Sequence, residues 1–466
     1  MLFNSLEFII FFPIVTLLYF LLPHRFRWAH LLLASCFFYA AFIPSYLLIL
    51  FFLIALDYSA GLLIESKRHK KIWLTVSIIA NISLLGLFKY YDFFISGINA
   101  LTGSHLILLK WILPIGLSFH TFQSLSYTVE VYRGKQKAIR HPGYYALYVL
   151  FYPQLVAGPI ERPQHLFPQF FREQKFSSQK LYEGLRLMAW GFFKKLVIAD
   201  RIGQYADAVF NNPGHAGTLP VWLAVFFFSI QIYADFSGYS DIAIGAARCM
   251  GIDLNINFNR PYLSANIREF WKRWHISLSS WFRDYVYIPL GGNRKGTLRK
   301  NINLLITFIL SALWHGAGWT FIAWGFLHGI YTLLYDSFKK HFSAVKIPYV
   351  MAWLLTCGCT GVAWIFFRAS SLNNAMEIIA QGSNLRNISF DDIIIIPGAK
   401  IEFGNFTLIF SFCMIVYMFL IEKFTTPKLF DLDSKRIRDI GIFASSVLLI
   451  IFFGIFQKTS FIYFQF

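Results

Sequence analysis

Residues 303–338 read NLLITFILSALWHGAGWTFIAWGFLHGIYTLLYDSF. Basic residues flank this apolar stretch, Arg294, Lys295, Arg299 and Lys300 before it and Lys339 and Lys340 after it. Cytoplasmic loops of membrane proteins are rich in Lys and Arg, so both ends belong on the cytoplasmic side. A spanning helix takes about 20 residues. The stretch is too long for one crossing and too short for two. Its centre, Trp314-His315-Gly316-Ala317-Gly318-Trp319, holds two glycines where the backbone turns at little steric cost. The expectation is two half-helices meeting at a break. At about 1.5 Å per residue, the residues from Asn303 set His315 about 18 Å deep, near the midplane. Irregular backbone at that depth is tolerated only where protein buries it or it lines a cavity. An ionisable side chain there is a functional-site hypothesis. The alternative is a structural histidine bonded to a carbonyl that the glycine break frees. His328, thirteen residues on and on another helical face, reads better as structural.

The rest of the chain agrees with a membrane setting. Its 466 residues would make about three soluble domains. Yet 57% are hydrophobic and only 14% charged, with mean hydropathy +0.54. Soluble domains carry roughly 25% charged residues. That composition excludes a disordered chain, a coiled coil or a typical nucleic-acid binder. The net charge of +18 therefore reads as basic cytoplasmic loops. Five cysteines inside apolar runs give no disulfide framework, and Cys357-x-Cys359 reads as packing, not a metal site. Met1–Glu7 has no Lys or Arg, so the apolar run after it reads as a retained first helix, not a signal peptide.

Candidate spans lie near 6–23, 28–44, 46–64, 72–90, 108–130, 143–158, 182–203, 219–237, 303–338, 348–367, 405–421 and 441–457. No long linker or internal repeat divides them, which predicts one membrane domain over 1–466, with a catalytic core near 260–330. Nine basic residues and two acidic ones, Glu269 and Asp284, fall between Arg260 and Lys300, which goes inside. Both termini then go outside, including a tail at 458–466. The parity closes if 143–158, with Pro153, Gly158 and Pro159, does not fully cross.

Two further clusters carry chemistry. Phe270-Trp271-Lys272-Arg273-Trp274-His275 continues through Trp281, Phe282 and Arg283 and interleaves aromatic with basic side chains. One reading is headgroup anchoring by an interfacial helix. The other is a cytoplasmic rim that holds a phosphate-rich ligand such as coenzyme A, with Lys272, Arg273, Trp274 and Arg283 as contacts. Asp235 and Asp241, in Tyr233-Ala234-Asp235-Phe236-Ser237-Gly238-Tyr239-Ser240-Asp241, sit at the end of an apolar run and need partners or a polar cavity. No nucleophile elbow, HExxH or phosphate loop is present, so neither an acyl-enzyme serine nor zinc is signalled.

At these residues the sequence resembles the membrane-bound O-acyltransferase (MBOAT) family. The likeness is to its bacterial branch serving alginate and peptidoglycan O-acetylation, related to teichoic-acid D-alanylation. The matching stretches run through the chain in family order. They are Leu113–Phe119, Tyr152-Pro153-Gln154 with Ala157–Ile160, Asp235–Asp241, Phe270–Ser277, Trp314-His315-Gly316 and Phe461–Phe466.

The resemblance implies an all-α polytopic fold, a ring of about 11–13 tilted or broken helices around a central funnel. It implies His315 as the catalytic histidine and His275 as a second polar position. It implies acetyl-CoA as a cytoplasmic donor substrate, with no tightly bound cofactor and no metal. Expected partners are membrane lipids, an extracytoplasmic SGNH-type esterase or transferase and a polysaccharide acceptor, not nucleic acid. The expected location is the bacterial inner membrane. Tyr463 is similar to a tyrosine thought to act as an acyl carrier. A phenol with pKa near about 10 gives a more activated ester than an alkyl hydroxyl does. The alternative for Tyr463 is an interfacial aromatic anchor. Two other functions fit the membrane architecture: a transporter or flippase of an acyl donor or glycan lipid, and a lipid-acylating enzyme.

Overall fold

Backbone N–H and C=O groups in hydrocarbon must find partners within the protein, and a helix satisfies them within one segment. The computed structural model describes residues 1–67, 69–155, 158–384, 388, 390, 393, 404–424, 437–456 and 461–462, and among them there is no strand. Among the described residues, five helices are long and apolar enough to cross a membrane: Tyr46–Glu65, Lys70–Thr102, Thr218–Cys249, Tyr349–Arg368 and Asn405–Phe424. Large apolar side chains such as Leu6, Leu33, Leu48 and Phe406 stand about 70% exposed, a surface that suits lipid and not water. The protein is an all-α, multi-pass membrane protein.

The chain forms two compact units. The first comprises Met1–Ala189 and Tyr239–Ile256. Its helices Tyr46–Glu65, Lys70–Leu85 and Leu117–Tyr132 pack on one another. Asp57 is fully buried among them, where an ion without partners would be very costly. It accepts hydrogen bonds from the Ser77 hydroxyl (2.6 Å) and the Asn81 amide (2.9 Å).

The second unit comprises Trp190–Gly238 and Asn257–Phe466. Its centre is a helical hairpin, Gly296–His315 and Trp319–His341, packed against Tyr349–Arg368 and the short helix Ile267–Arg273. The arms meet at Gly325, where an added Cβ would lie 2.5 Å from the Ala312 methyl and 2.7 Å from the Phe308 carbonyl oxygen. Trp324 of the second arm is buried, as are Trp274 and Trp364. Lys195 is buried between Asp200 and Asp235, 2.9 Å from each. Breaking such a buried pair typically costs about 3–5 kcal/mol.

The structure revises several sequence expectations. The two halves of 303–338 are not half-helices. They extend into the basic flanks to 20 and 23 residues, or roughly 30 and 35 Å. Apolar content understated them because amphipathic turns at both ends carry charge. The 108–130 span begins as helix only at Leu117. Pro114 precedes a left-handed Gly116 (φ 77°), and the Asp92 carboxylate takes the amides of Leu109 and Lys110 out of any helix. The 219–237 span runs on to Cys249, so Asp235 and Asp241 lie inside a 32-residue helix and not at its end. The 143–158 segment is helical at Pro142–Leu150 and Tyr152–Leu155, pieces of nine and four residues.

Candidate active site

His315 is the last residue of the first hairpin arm, and only Gly316–Gly318 separate it from the second. The turn depends on Gly316, whose added Cβ would lie 2.0 Å from the Phe321 ring. The imidazole is buried. Trp314, Trp324 and Phe367 surround it, with ring centroids 4.9, 5.3 and 5.5 Å away.

His275 joins the short helices Ile267–Arg273 and Ile276–Phe282. Its φ is 42°, a left-handed conformation uncommon in any residue but glycine. Such strain persists where surrounding bonds over-determine it. Here the Asn257 carbonyl oxygen accepts from the Ile276 amide (2.9 Å), and Asn259 donates its amide to the Arg273 carbonyl (2.9 Å). The Asn257 side chain then fixes the imidazole. Its Oδ1 faces the Ser277 amide, a group that can only donate, so it also accepts from His275 Nδ1 at 3.0 Å. That bond places the neutral ring's proton on Nδ1 and makes Nε2 the basic nitrogen. Phe236 stands edge-on to the ring at 4.6 Å.

The two histidines therefore meet. Their ring centroids are 6.3 Å apart, beyond a direct hydrogen bond between the rings. Sequence reading missed Asn257. Its signal is the alternation Asn255-Ile256-Asn257-Phe258-Asn259, too polar for a span and too regular for a random loop.

The elements that carry the pair also line a cavity of about 770 Å³. Five basic side chains, Arg268, Lys272, Arg283, Lys300 and Lys340, line it with a single acid, Asp336. Asp336 bonds Arg268 and Lys300. Along the first arm the lining runs Lys300, Leu304, Thr307, Phe308 and Ser311, one helical face about 17 Å long that changes from charged to apolar. The far end of that face reaches both histidines in sequence. Ser311 is one turn before His315, and Ile276 follows His275. Arg283 and Tyr287 reach the cavity from a single π-helical turn, a distortion frequent at functional sites.

Of the expected ligand contacts, Lys272 and Arg283 line this cavity. Arg273 lines a neighbouring cavity of about 660 Å³ together with Lys272, and bonds Glu269 at 2.6 Å. Trp274 lines neither. It is buried, stacked on Phe270 (5.4 Å) and edge-on to Phe258 (5.1 Å), where it supports the backbone that carries His275. Tyr463 lies outside the described residues, as does most of the 458–466 tail; Phe461 and Ile462 are described and buried.

Residues 76–373, which contain both histidines and the cavity, match the sequence model of the membrane-bound O-acyltransferase family. The chain belongs to that family. It is 39% identical over 395 residues to the peptidoglycan O-acetyltransferase of Helicobacter pylori, covering 77% of this chain and 74% of the relative. It is 38% identical over 404 residues to the probable alginate O-acetylase AlgI of Azotobacter vinelandii, covering 84% and 80%. A more distant relative is the teichoic acid D-alanyltransferase of Bacillus subtilis, 32% identical over 242 residues and covering 48% and 60%. This MBOAT protein is an O-acyltransferase, which decides for an enzyme over the transporter alternative.

Proposed function

We propose that this MBOAT protein takes an acetyl group from cytoplasmic acetyl-CoA and passes it outward to O-acetylate a cell-envelope glycan. The observation that carries the reading is the basic-rimmed cavity lined by Ile276 and Ser311, one residue after His275 and one turn before His315. The basic end suits the phosphates of the donor, held by Lys272 and Arg283. The apolar face along Leu304, Phe308 and Ser311 suits its thioester arm. The names of the relatives support peptidoglycan or alginate as the acceptor class.

In the transfer, an acceptor hydroxyl attacks the thioester carbonyl while His315 takes its proton. The carbon–sulfur bond breaks, and the histidinium returns the proton to the leaving thiolate. His275, its ring fixed by the Nδ1 bond to Asn257, orients the thioester. The acceptor is Tyr463, placed outside by the charge distribution. Its activated phenyl ester then passes acetyl to the serine of an SGNH-type partner and on to the glycan. The setting is the bacterial inner membrane with both termini outside.

The test supplies isotope-labelled acetyl-CoA to the cytoplasmic face of membrane vesicles that hold the protein. Label is expected in alkali-labile esters on the opposite side. Absence of outward label with active, correctly oriented protein sinks the proposal.

A further inference from the structure

The second unit holds a buried charged triad. Lys195 supplies one ammonium, while Asp200 and Asp235 supply two carboxylates, and all three are at least nine-tenths buried. The second oxygen of Asp235 meets a different donor, the backbone amide of Ile462, at 2.8 Å. That amide lies 227 residues away in sequence and one residue before Tyr463. Phe461 beside it is fully buried against Phe236 at 5.4 Å, and Phe236 in turn edges His275 at 4.6 Å. Upstream, the amide of Ile455 bonds the Leu196 carbonyl at 3.0 Å, one residue from Lys195.

We infer that Asp235 is a positioning residue for acyl transfer, a clamp that fixes the register of the C-terminal tail beside the histidine pair. The inference rests on the reading that Tyr463 carries the acyl group. A carrier at the end of a chain has many conformations to lose, and a reaction between it and a buried thioester needs that freedom removed beforehand. The clamp does so through the backbone. Asp235 thus grips the tail whatever its side chains are, and Phe461 seats it on the residue that edges His275.

The test uses full-length protein in detergent. Asp235→Asn leaves Lys195 paired with Asp200. Ile462→Pro removes the donated N–H and touches nothing else in the triad. Acetyl on Tyr463 is followed by mass spectrometry after addition of acetyl-CoA, and the KM for acetyl-CoA is measured alongside. Both variants are expected to slow Tyr463 acetylation roughly tenfold or more while KM stays within about twofold. Wild-type acetylation rates in both variants overturn the clamp. So does a matching rise in KM, which marks general damage.

A wild-type protein that never carries acetyl on Tyr463 overturns the carrier reading instead. The clamp is then judged by hydrogen exchange at the Ile462 amide. Loss of protection in Asp235→Asn supports it, and unchanged protection refutes it.

Discussion

The imidazoles of His275 and His315 lie with ring centroids 6.3 Å apart and planes tilted by 58°, and the two are held by unrelated means. His315 is fixed by a helix end and a box of aromatic rings. His275 is fixed by one carboxamide and a left-handed backbone. Small displacements of either support are expected to cost activity out of proportion to stability.

Asn257→Ala removes the acceptor that serves the His275 Nδ1 proton, the Ser277 amide and the Ser277 hydroxyl. Leaving those buried donors unpaired costs about 1–3 kcal/mol of stability. The larger expected effect is on turnover, a fall of at least about tenfold as the ring loses its tautomer and orientation. Asn257→Asp keeps an acceptor and is expected to retain more turnover than Asn257→Ala. Parallel kcat and thermal-melting measurements check the order. Equal kcat in both variants contradicts it.

Ser311→Phe plugs the cavity one turn before His315. The expected result is a rise of about tenfold or more in KM for acetyl-CoA, since the donor arm loses its path. A purified variant that melts like the parent and keeps the parental KM places the donor elsewhere.

Lys272→Ala and Arg283→Ala are expected to raise KM for the donor by several-fold each, with a weaker effect at high salt. Arg273→Ala is expected to do less, because its guanidinium is bonded to Glu269. Trp274→Ala behaves differently again. Loss of a buried tryptophan costs about 3–5 kcal/mol. Its expected signature is a lower melting temperature and poor yield, not a selective KM change. Titrating donor at two ionic strengths separates these four variants.

Gly316→Ala forces a methyl into the Phe321 ring, 2.0 Å away, at the turn that follows His315. The turn must shift, and turnover is expected to fall at least about tenfold. Gly358→Ala is the comparison. Its added methyl enters open space on the helix Tyr349–Arg368, and parental turnover is expected. Parental turnover in Gly316→Ala as well would show that the turn does not govern the reaction.

Much of the site was legible in the sequence. An apolar stretch with basic flanks and a central His-Gly pair marks a break between two helices and a histidine beside it, because the membrane penalises both the charge and the break. Lys272 and Arg283 were legible as a basic rim for the same reason. The true lengths of the hairpin arms were not, since their ends are amphipathic. Asn257 was hidden because its role arises from a backbone pairing with Arg273–Ile276 that no local pattern states. Asp235 was noticed as a costly carboxylate, but its partner Ile462 is too far along the chain to be inferred. Trp274 shows the converse. An aromatic residue inside a basic cluster reads as a ligand contact, and folding turns it inward.

In the proposed mechanism, acyl transfer turns on His315 removing the acceptor proton. The decisive comparison is acetyl-CoA turnover by purified wild-type protein and by His315→Ala, with donor binding measured on both. The expected result is a loss of at least about 10²-fold in turnover with donor affinity retained. Turnover at the wild-type rate by well-folded His315→Ala protein would contradict it.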